Sequence, residues 1–276
     1  MSRIRYRLPN LILEVLMILL AIVFLLPVYV LVVSAFKTGS EIAKSALALP
    51  EGLHLENFAR AWGEASLGTA LLSSALVAVT SVVLLVMLGS AAAYAIVRGG
   101  RRFDDLLFFF FVAGITVPIQ LGMVPLYQLM RDLGLLNNPL SLIIYNTGHL
   151  LPMTVFLYAG FIRVSSITYE EAARVDGASA VQVFTRIVFP LLRPITGTVV
   201  ILHAIAIWND FLVPLLYLGT SDFRTVPVAI FAFQGEYATQ WGIIFAGLLI
   251  AILPILLVYF MLQKYIIKGF ASGLKG

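Results

Sequence analysis

The sequence predicts an all-α membrane protein with six transmembrane helices, and three observations predict it. Of 276 residues, 61% are hydrophobic and only 12% are charged, where soluble domains run near 45–50% and about 25%. Mean hydropathy is +1.01. Six apolar stretches approach or exceed the roughly 20 residues that a helix needs to cross a bilayer. Their richness in Leu, Val, Ile, Phe and Ala fits helices; a membrane barrel would alternate over strands of about ten residues.

The stretches cover 11–35, 70–97, 104–130, 140–162, 195–218 and 241–263, and make residues 1–276 a single transmembrane domain. The first is too long for the apolar core of a cleavable signal, and no small-residue cleavage site follows it. An even number of spans puts both termini on one side. With that side taken as cytoplasmic, thirteen Lys and Arg lie inside and five outside, from Arg3, Arg5 and Arg7 through Arg98, Arg163 and Arg193 to Lys264, Lys268 and Lys275. Positive charge stays in the cytoplasm, so both termini and the segment 163–194 are expected there. Prolines 27, 118, 125, 152, 214 and 254 fall inside spans. Each removes a backbone hydrogen bond and serves packing geometry or a hinge. The largest outer loop, 36–69, contains a short amphipathic helix over Leu55–Glu64, expected on the membrane surface or against an outer partner.

Composition also excludes functions. With Cys 0 there is no disulfide, thiol catalysis or cysteine metal site. His54, His149 and His203 are scattered and form no metal constellation. The formal charge of +4 reads as topology, not as affinity for nucleic acid. No G-x-x-x-x-G-K-[ST] is present to cradle phosphates, so an ATP-driven process needs another polypeptide. HExxH and GxSxG are absent, which disfavours a membrane enzyme.

The segment 163–194 is longer than a connection between spans requires, and it carries seven charges. Long ordered loops are usually functional. Thr168 with Glu171 matches a capping box. Glu170 and Arg174 stand i, i+4 in the favourable order. Gly177 is a natural helix stop. Ser179 with Gln182 makes a second capping box, and Val181, Phe184, Val188 and Leu191 recur at helical spacing. Pro190 and Pro194 mark the return to the membrane. Helix, glycine corner, helix is the expectation. Two short helices need a surface to dock on, either their own spans or another protein.

Glu171-Ala172-Ala173, then Gly177, then Ile187 and Pro190 resemble the EAA motif of binding-protein-dependent ABC importer permeases. The spacing agrees throughout; Phe189 stands where the pattern has Leu. Ser34 to Lys37, Glu56 to Phe58, Tyr94-Ala95 and Trp208 to Phe211 extend the resemblance along the chain, toward the carbohydrate branch and the smaller permease of maltose-type systems. The resemblance implies a type I ABC importer permease fold in a bacterial or archaeal cytoplasmic membrane, with 163–194 as the coupling-helix loop. Its coupling residues would be Glu170, Glu171, Ala172, Ala173, Asp176, Gly177, Phe184, Ile187 and Pro190. Glu171 would bridge to the ATPase, in competition with its capping role, and the two alanines would permit close helix approach. The implied partners are a second, homologous permease, two ATP-binding cassette subunits that bind ATP and Mg, and an extracytoplasmic substrate-binding protein met by loops 36–69 and 219–240. The tail residues Gly273, Leu274 and Lys275 resemble the end that reaches between the ATPase subunits.

Ionisable and polar residues inside spans are candidates for a translocation pathway. Asp210, Asn209, Trp208, His203 and Gln120 are the candidates here, with Gln128, Asn146 and His149 behind them. Asp210 is either a pathway wall or an interhelical hydrogen bond. Trp208, Tyr127 and Tyr158 either stack on a sugar or pack. A stand-alone secondary transporter or channel is the alternative function, and the sparse set of intramembrane charges disfavours it.

Overall fold

The computed structural model describes residues 8–236 and 240–273. The described residues are overwhelmingly helical, with no strand among them. In chain order the helices are α1 (Leu8–Ala35), α2 (Gly39–Lys44), α3 (Glu56–Glu64), α4 (Leu67–Gly99), α5 (Arg102–Thr116), α6 (Ile119–Asp132) and α7 (Pro139–Val164). Then follow α8 (Thr168–Val175), α9 (Ala180–Val183), a π-helical turn (Phe184–Val188) and α10 (Phe189–Leu191). The chain continues with α11 (Arg193–Asn209), α12 (Leu212–Leu218), α13 (Val226–Glu236) and α14 (Trp241–Gly273).

Four helices, over Leu11–Ala35, Leu67–Gly99, Pro139–Val164 and Trp241–Met261, are each long and apolar enough to cross a membrane; the number rises to six if two bent helix pairs each count as one span. One bent pair is α5 with α6; the other is Ala180–Leu191 with Arg193–Asn209, bent by 73°. The span 104–130 is broken into α5 and α6, which meet at 97°. Val117 is extended (φ −74°, ψ 117°) ahead of Pro118, as the clash of a proline ring with the preceding residue dictates. The span 195–218 is broken between α11 and α12, where Asp210 is extended (φ −67°, ψ 128°). By contrast Pro27, Pro125, Pro152 and Pro254 lie inside continuous helices.

The described residues form two compact units, one from Met1–Gly68 with Ala229–Ile252, the other from Thr69–Val228 with Leu253–Gly276. In the first, Ala35, Ala61, Leu67, Ile243, Ile244 and Ala246 form a small buried cluster, with Phe36 and Phe58 against it. The apolar face of α3 is thus covered by the unit itself, and of its large apolar side chains Trp62 stays exposed. Polar groups fix the loop before it. Asn57 Nδ2 donates to the carbonyls of Ala35 and Lys37, at 3.0 and 2.9 Å. The buried Lys37 donates to the carbonyls of Ser45 and Ala46, at 3.0 and 3.3 Å. Thr38 and Glu41 close a capping box over α2. Gly242 is obligatory: a Cβ there would collide with the Lys37 carbonyl oxygen.

In the second unit α7 is the hub, with α5, α11 and α12 packed on it. One core cluster joins Leu85, Leu142, Tyr145, Tyr217 and Leu218. Another joins Ala93, Tyr94, Tyr158 and Ile162 to Val183, Val188 and Leu192 of the 163–194 loop.

Candidate functional site

The 163–194 loop is helix, corner, helix, as its sequence predicts. The corner is a Schellman motif: Ala178 N–H donates to the Ala173 carbonyl at 2.9 Å, and Gly177 N–H to that of Arg174 at 3.1 Å. Gly177 has φ +83°, the left-handed conformation that glycine adopts without a Cβ penalty. The second helix opens with the expected capping box: Ser179 N–H donates to Gln182 Oε1 at 2.8 Å, and Gln182 N–H to Ser179 Oγ at 3.3 Å. Its continuation slips into a π turn in which Phe189 N–H reaches the Phe184 carbonyl. Pro190 has no N–H to offer the carbonyl four residues back, which favours the slipped register.

The first expected capping box does not form. α8 starts after Ile167, with no side-chain cap. Thr168 Oγ1 pairs instead with Ser166 Oγ at 2.9 Å, while Glu171 N–H donates to the Ile167 carbonyl. Glu171 is therefore released from capping and stands exposed.

Glu170 behaves in the opposite way. The resemblance puts it among the coupling residues with Glu171, and in the structure it is buried at 3% exposure. Its Oε1 accepts from Arg98 Nε at 2.9 Å, and its Oε2 from the Tyr94 hydroxyl at 3.1 Å. Arg98 also donates to the Ser165 carbonyl at 3.2 Å. Arg174, the expected i, i+4 partner, is more distant at 3.9 Å. A carboxylate this buried needs such compensation, and the chain supplies it from α4. Phe184 stacks obliquely on Tyr94, ring centres 5.3 Å apart. Tyr94 and Arg98 were not among the candidate site residues, although their i, i+4 spacing at the end of a span puts them on one helix face.

The inner side of the loop thus docks on its own spans. Ala173, Phe184, Val183 and Val188 pack there, with Ile187 and Pro190 half-buried. The outer side is bare. Ala172, Asp176 and Gly177 are exposed, and so are large apolar side chains: Val175 at 88%, Val181 at 71% and Tyr169 at 66%.

A second polar region lies at the breaks in the bent spans. Gln120, Tyr145, Asn146, His149, Asn209 and Asp210 line a cavity of about 320 Å³ with apolar side chains between them. The Asp210 carboxylate faces the backbone N–H groups of Leu212 and Val213 as well as lining the cavity. Of the pathway candidates, the structure brings Gln120, Asn209 and Asp210 together on this cavity, while His203 and Trp208 do not line it. His203 is 3% exposed and its Nε2 meets Thr154 Oγ1 at 2.9 Å. Thr154 gives its hydroxyl proton to the Leu150 carbonyl, so the imidazole Nε2 is the donor. Trp208 packs on the core cluster of the unit. Tyr158 is likewise a core residue, bonded to Thr196 at 3.0 Å. Of the tail candidates, Gly273 ends α14, and Leu274 and Lys275 lie outside the described residues.

Residues 85–272 match the family described as binding-protein-dependent transport system inner membrane component. The chain is 36% identical over 250 residues to the melibiose/raffinose/stachyose import permease protein MelC of Bacillus subtilis, covering 90% of each chain. It is 35% identical over 256 residues to the multiple sugar-binding transport system permease protein MsmG of Streptococcus mutans, covering 91% of this chain and 92% of that one. The fold matches a chain of a bacterial ABC transporter involved in import of the acidic polysaccharide alginate, with TM-score 0.79, 23% identity and coverage of 96% and 99%. This chain therefore belongs to the inner membrane components of binding-protein-dependent transport systems: it is a multi-pass ABC importer permease, a transport subunit and not an enzyme, of a kind that works with an ATPase and a substrate-binding protein.

Proposed function

We propose that this chain forms half of the membrane channel of a sugar or oligosaccharide importer and takes its driving force through the 163–194 loop. The observation that carries the reading is the two-sidedness of that loop. Its inner side is anchored by Glu170 and by the packing of Val183 and Val188. Its outer side exposes Val175, Val181 and Tyr169 around the carboxylates of Glu171 and Asp176. Apolar groups left bare and rimmed by charge mark a protein contact. The proposed contact is an ATP-binding cassette subunit, which holds ATP and Mg. Two such subunits, a second homologous permease and an extracytoplasmic binding protein complete the assembly. Both termini then face the cytoplasm, as the distribution of Lys and Arg requires. The sugar assignment is supported by the names of MelC and MsmG, which each match about nine-tenths of the chain.

The test is purification from native membranes, followed by a charge swap. An ATPase and a second permease are expected in the complex. Glu171→Lys is expected to abolish coupled transport, and a reciprocal acidic substitution in the ATPase cleft to restore it. Full transport by Glu171→Gln would remove the salt-bridge role, and a lone chain active on an ion gradient would overturn the whole assignment.

A further inference from the structure

The cavity lined by Gln120, Tyr145, Asn146, His149 and Asp210 has unused hydrogen-bonding capacity. Asn146 is 5% exposed and Tyr145 is 8% exposed. Among the described residues, neither the Asn146 amide nor the Tyr145 hydroxyl has a side-chain hydrogen bond, and the Gln120 amide has none. Polar groups of largely buried residues are ordinarily paired. Two such groups, Asn146 and Tyr145, converge on one space with the exposed Gln120 amide, and together they suit a partner rich in both donors and acceptors. The space is about 320 Å³, at the small end of the roughly 300–1,000 Å³ of small-molecule sites. Its walls alternate apolar faces with amides, and His149 presents a ring stacked on Tyr145, centres 5.6 Å apart. Amides above flat apolar surface are the chemistry that recognises a pyranose: hydroxyls around the rim, C–H groups on the faces.

The charge of the wall adds a sign. Asp210 is the carboxylate on it, and neither Lys nor Arg lines it among the described residues. A carboxylate-bearing sugar would meet Asp210 with no cation to offset the repulsion, in surroundings that screen poorly. We propose that this cavity is a subsite, built on this chain itself, for one ring of a neutral, hydroxyl-rich solute, and that it disfavours acidic sugars. The proposal rests on the importer reading and extends it by naming the side chains that hold the solute and the charge class they accept.

The test uses the assembled transporter, purified without its binding protein, with saturation-transfer NMR on two probes, maltotriose and trigalacturonate. Wild type is expected to show transfer to maltotriose and little to trigalacturonate. Gln120→Ala, at an exposed position, is expected to weaken maltotriose binding by about 3–10-fold, the loss of one hydrogen bond. Asn146→Ala is expected to do the same or more. Both variants should still co-purify with the ATPase and the second permease, which shows that the complex assembles. Equal transfer in wild type and both variants, or equal transfer to the acidic probe, would overturn the subsite. An assembled, ATP-hydrolysing complex that fails this pattern leaves the importer reading standing. A chain that assembles with no ATPase would sink that reading instead.

Discussion

Arg98 and Glu170 form a buried ion pair at 2.9 Å, joining the C-terminal end of α4 to the first turn of α8 across 72 positions of sequence. The side chains are 13% and 4% exposed. Displacement of α8 therefore pulls on α4 directly, not only on α7, to which α8 is joined by chain. Glu170→Ala strands the arginine in a poorly solvated site, and breaking a buried pair by removing one partner costs about 3–5 kcal/mol. Arg98→Met combined with Glu170→Leu, which removes both charges, should recover most of that stability in thermal unfolding of the purified complex. It should not recover coupling: transport per ATP hydrolysed is expected to stay low. Recovery of both would make the pair merely structural.

The corner at Gly177 depends on backbone conformation alone. A Cβ there would meet no atom within 4 Å, yet φ is +83°. Gly177→Ala should cost about 1–2 kcal/mol through the left-handed backbone. Amide hydrogen exchange at Gly177 and Ala178 is then expected to quicken by about 5–30-fold. Gly177→Asn should fall between, because asparagine tolerates this conformation.

Glu41 makes the outer segment sensitive to acid. Its carboxyl is held down at about 2, against an ordinary 4.5, chiefly by the Thr38 backbone N–H and then by that of Glu51. A depressed native pKa gives stability that is complete above the unfolded value and is lost as pH falls through the native one. Limited proteolysis between Phe36 and Leu55 should therefore accelerate in wild type from about pH 4.5 down to about 2. Glu41→Gln should start faster at neutral pH and converge with wild type in acid. A constant gap across that range would contradict the assignment.

Gly242 sits where α14 passes the loop after α1. Gly242→Ala would drive a methyl group into the Lys37 carbonyl and crowd the Asn57 amide, 2.7 Å from the new carbon. Overpacking of this kind costs about 1–3 kcal/mol. The expected readout is a lower midpoint of thermal unfolding, with the 163–194 loop still able to bind the ATPase.

Much of this was legible because the bilayer and the helix impose periodicities that a sequence must carry. The apolar runs gave α1, α4 and α7 to within three residues at each end and the start of α14, which continues ten residues past the predicted end at 263; Gly177 and Ser179 gave the corner and the second cap. The failures are local contests. Thr168 lost the cap because Ser166 competes for its hydroxyl and Ile167 supplies the first carbonyl. Pro118 broke a span where Pro152 did not, and a hydropathy pattern cannot tell these prolines apart. Glu170 and Glu171 are adjacent and chemically alike. Which one turns inward depends on Tyr94 and Arg98, more than 70 positions away. The cavity was half legible: Asp210 and Gln120 announce themselves as polar residues in apolar runs, while their meeting with Asn146 depends on how the bent spans cross.

The central claim is that the bare side of the 163–194 loop seats on the ATPase. The chain has no native cysteine, so Val175→Cys places one thiol at the most exposed apolar position of the loop, 88% exposed. The direct measurement is cross-linking of that thiol, in native membranes, to a single cysteine in the cleft of the ATPase subunit. A disulfide-linked adduct whose yield changes on ATP binding is the predicted result. No adduct from a complex that still co-purifies with its ATPase would contradict the account.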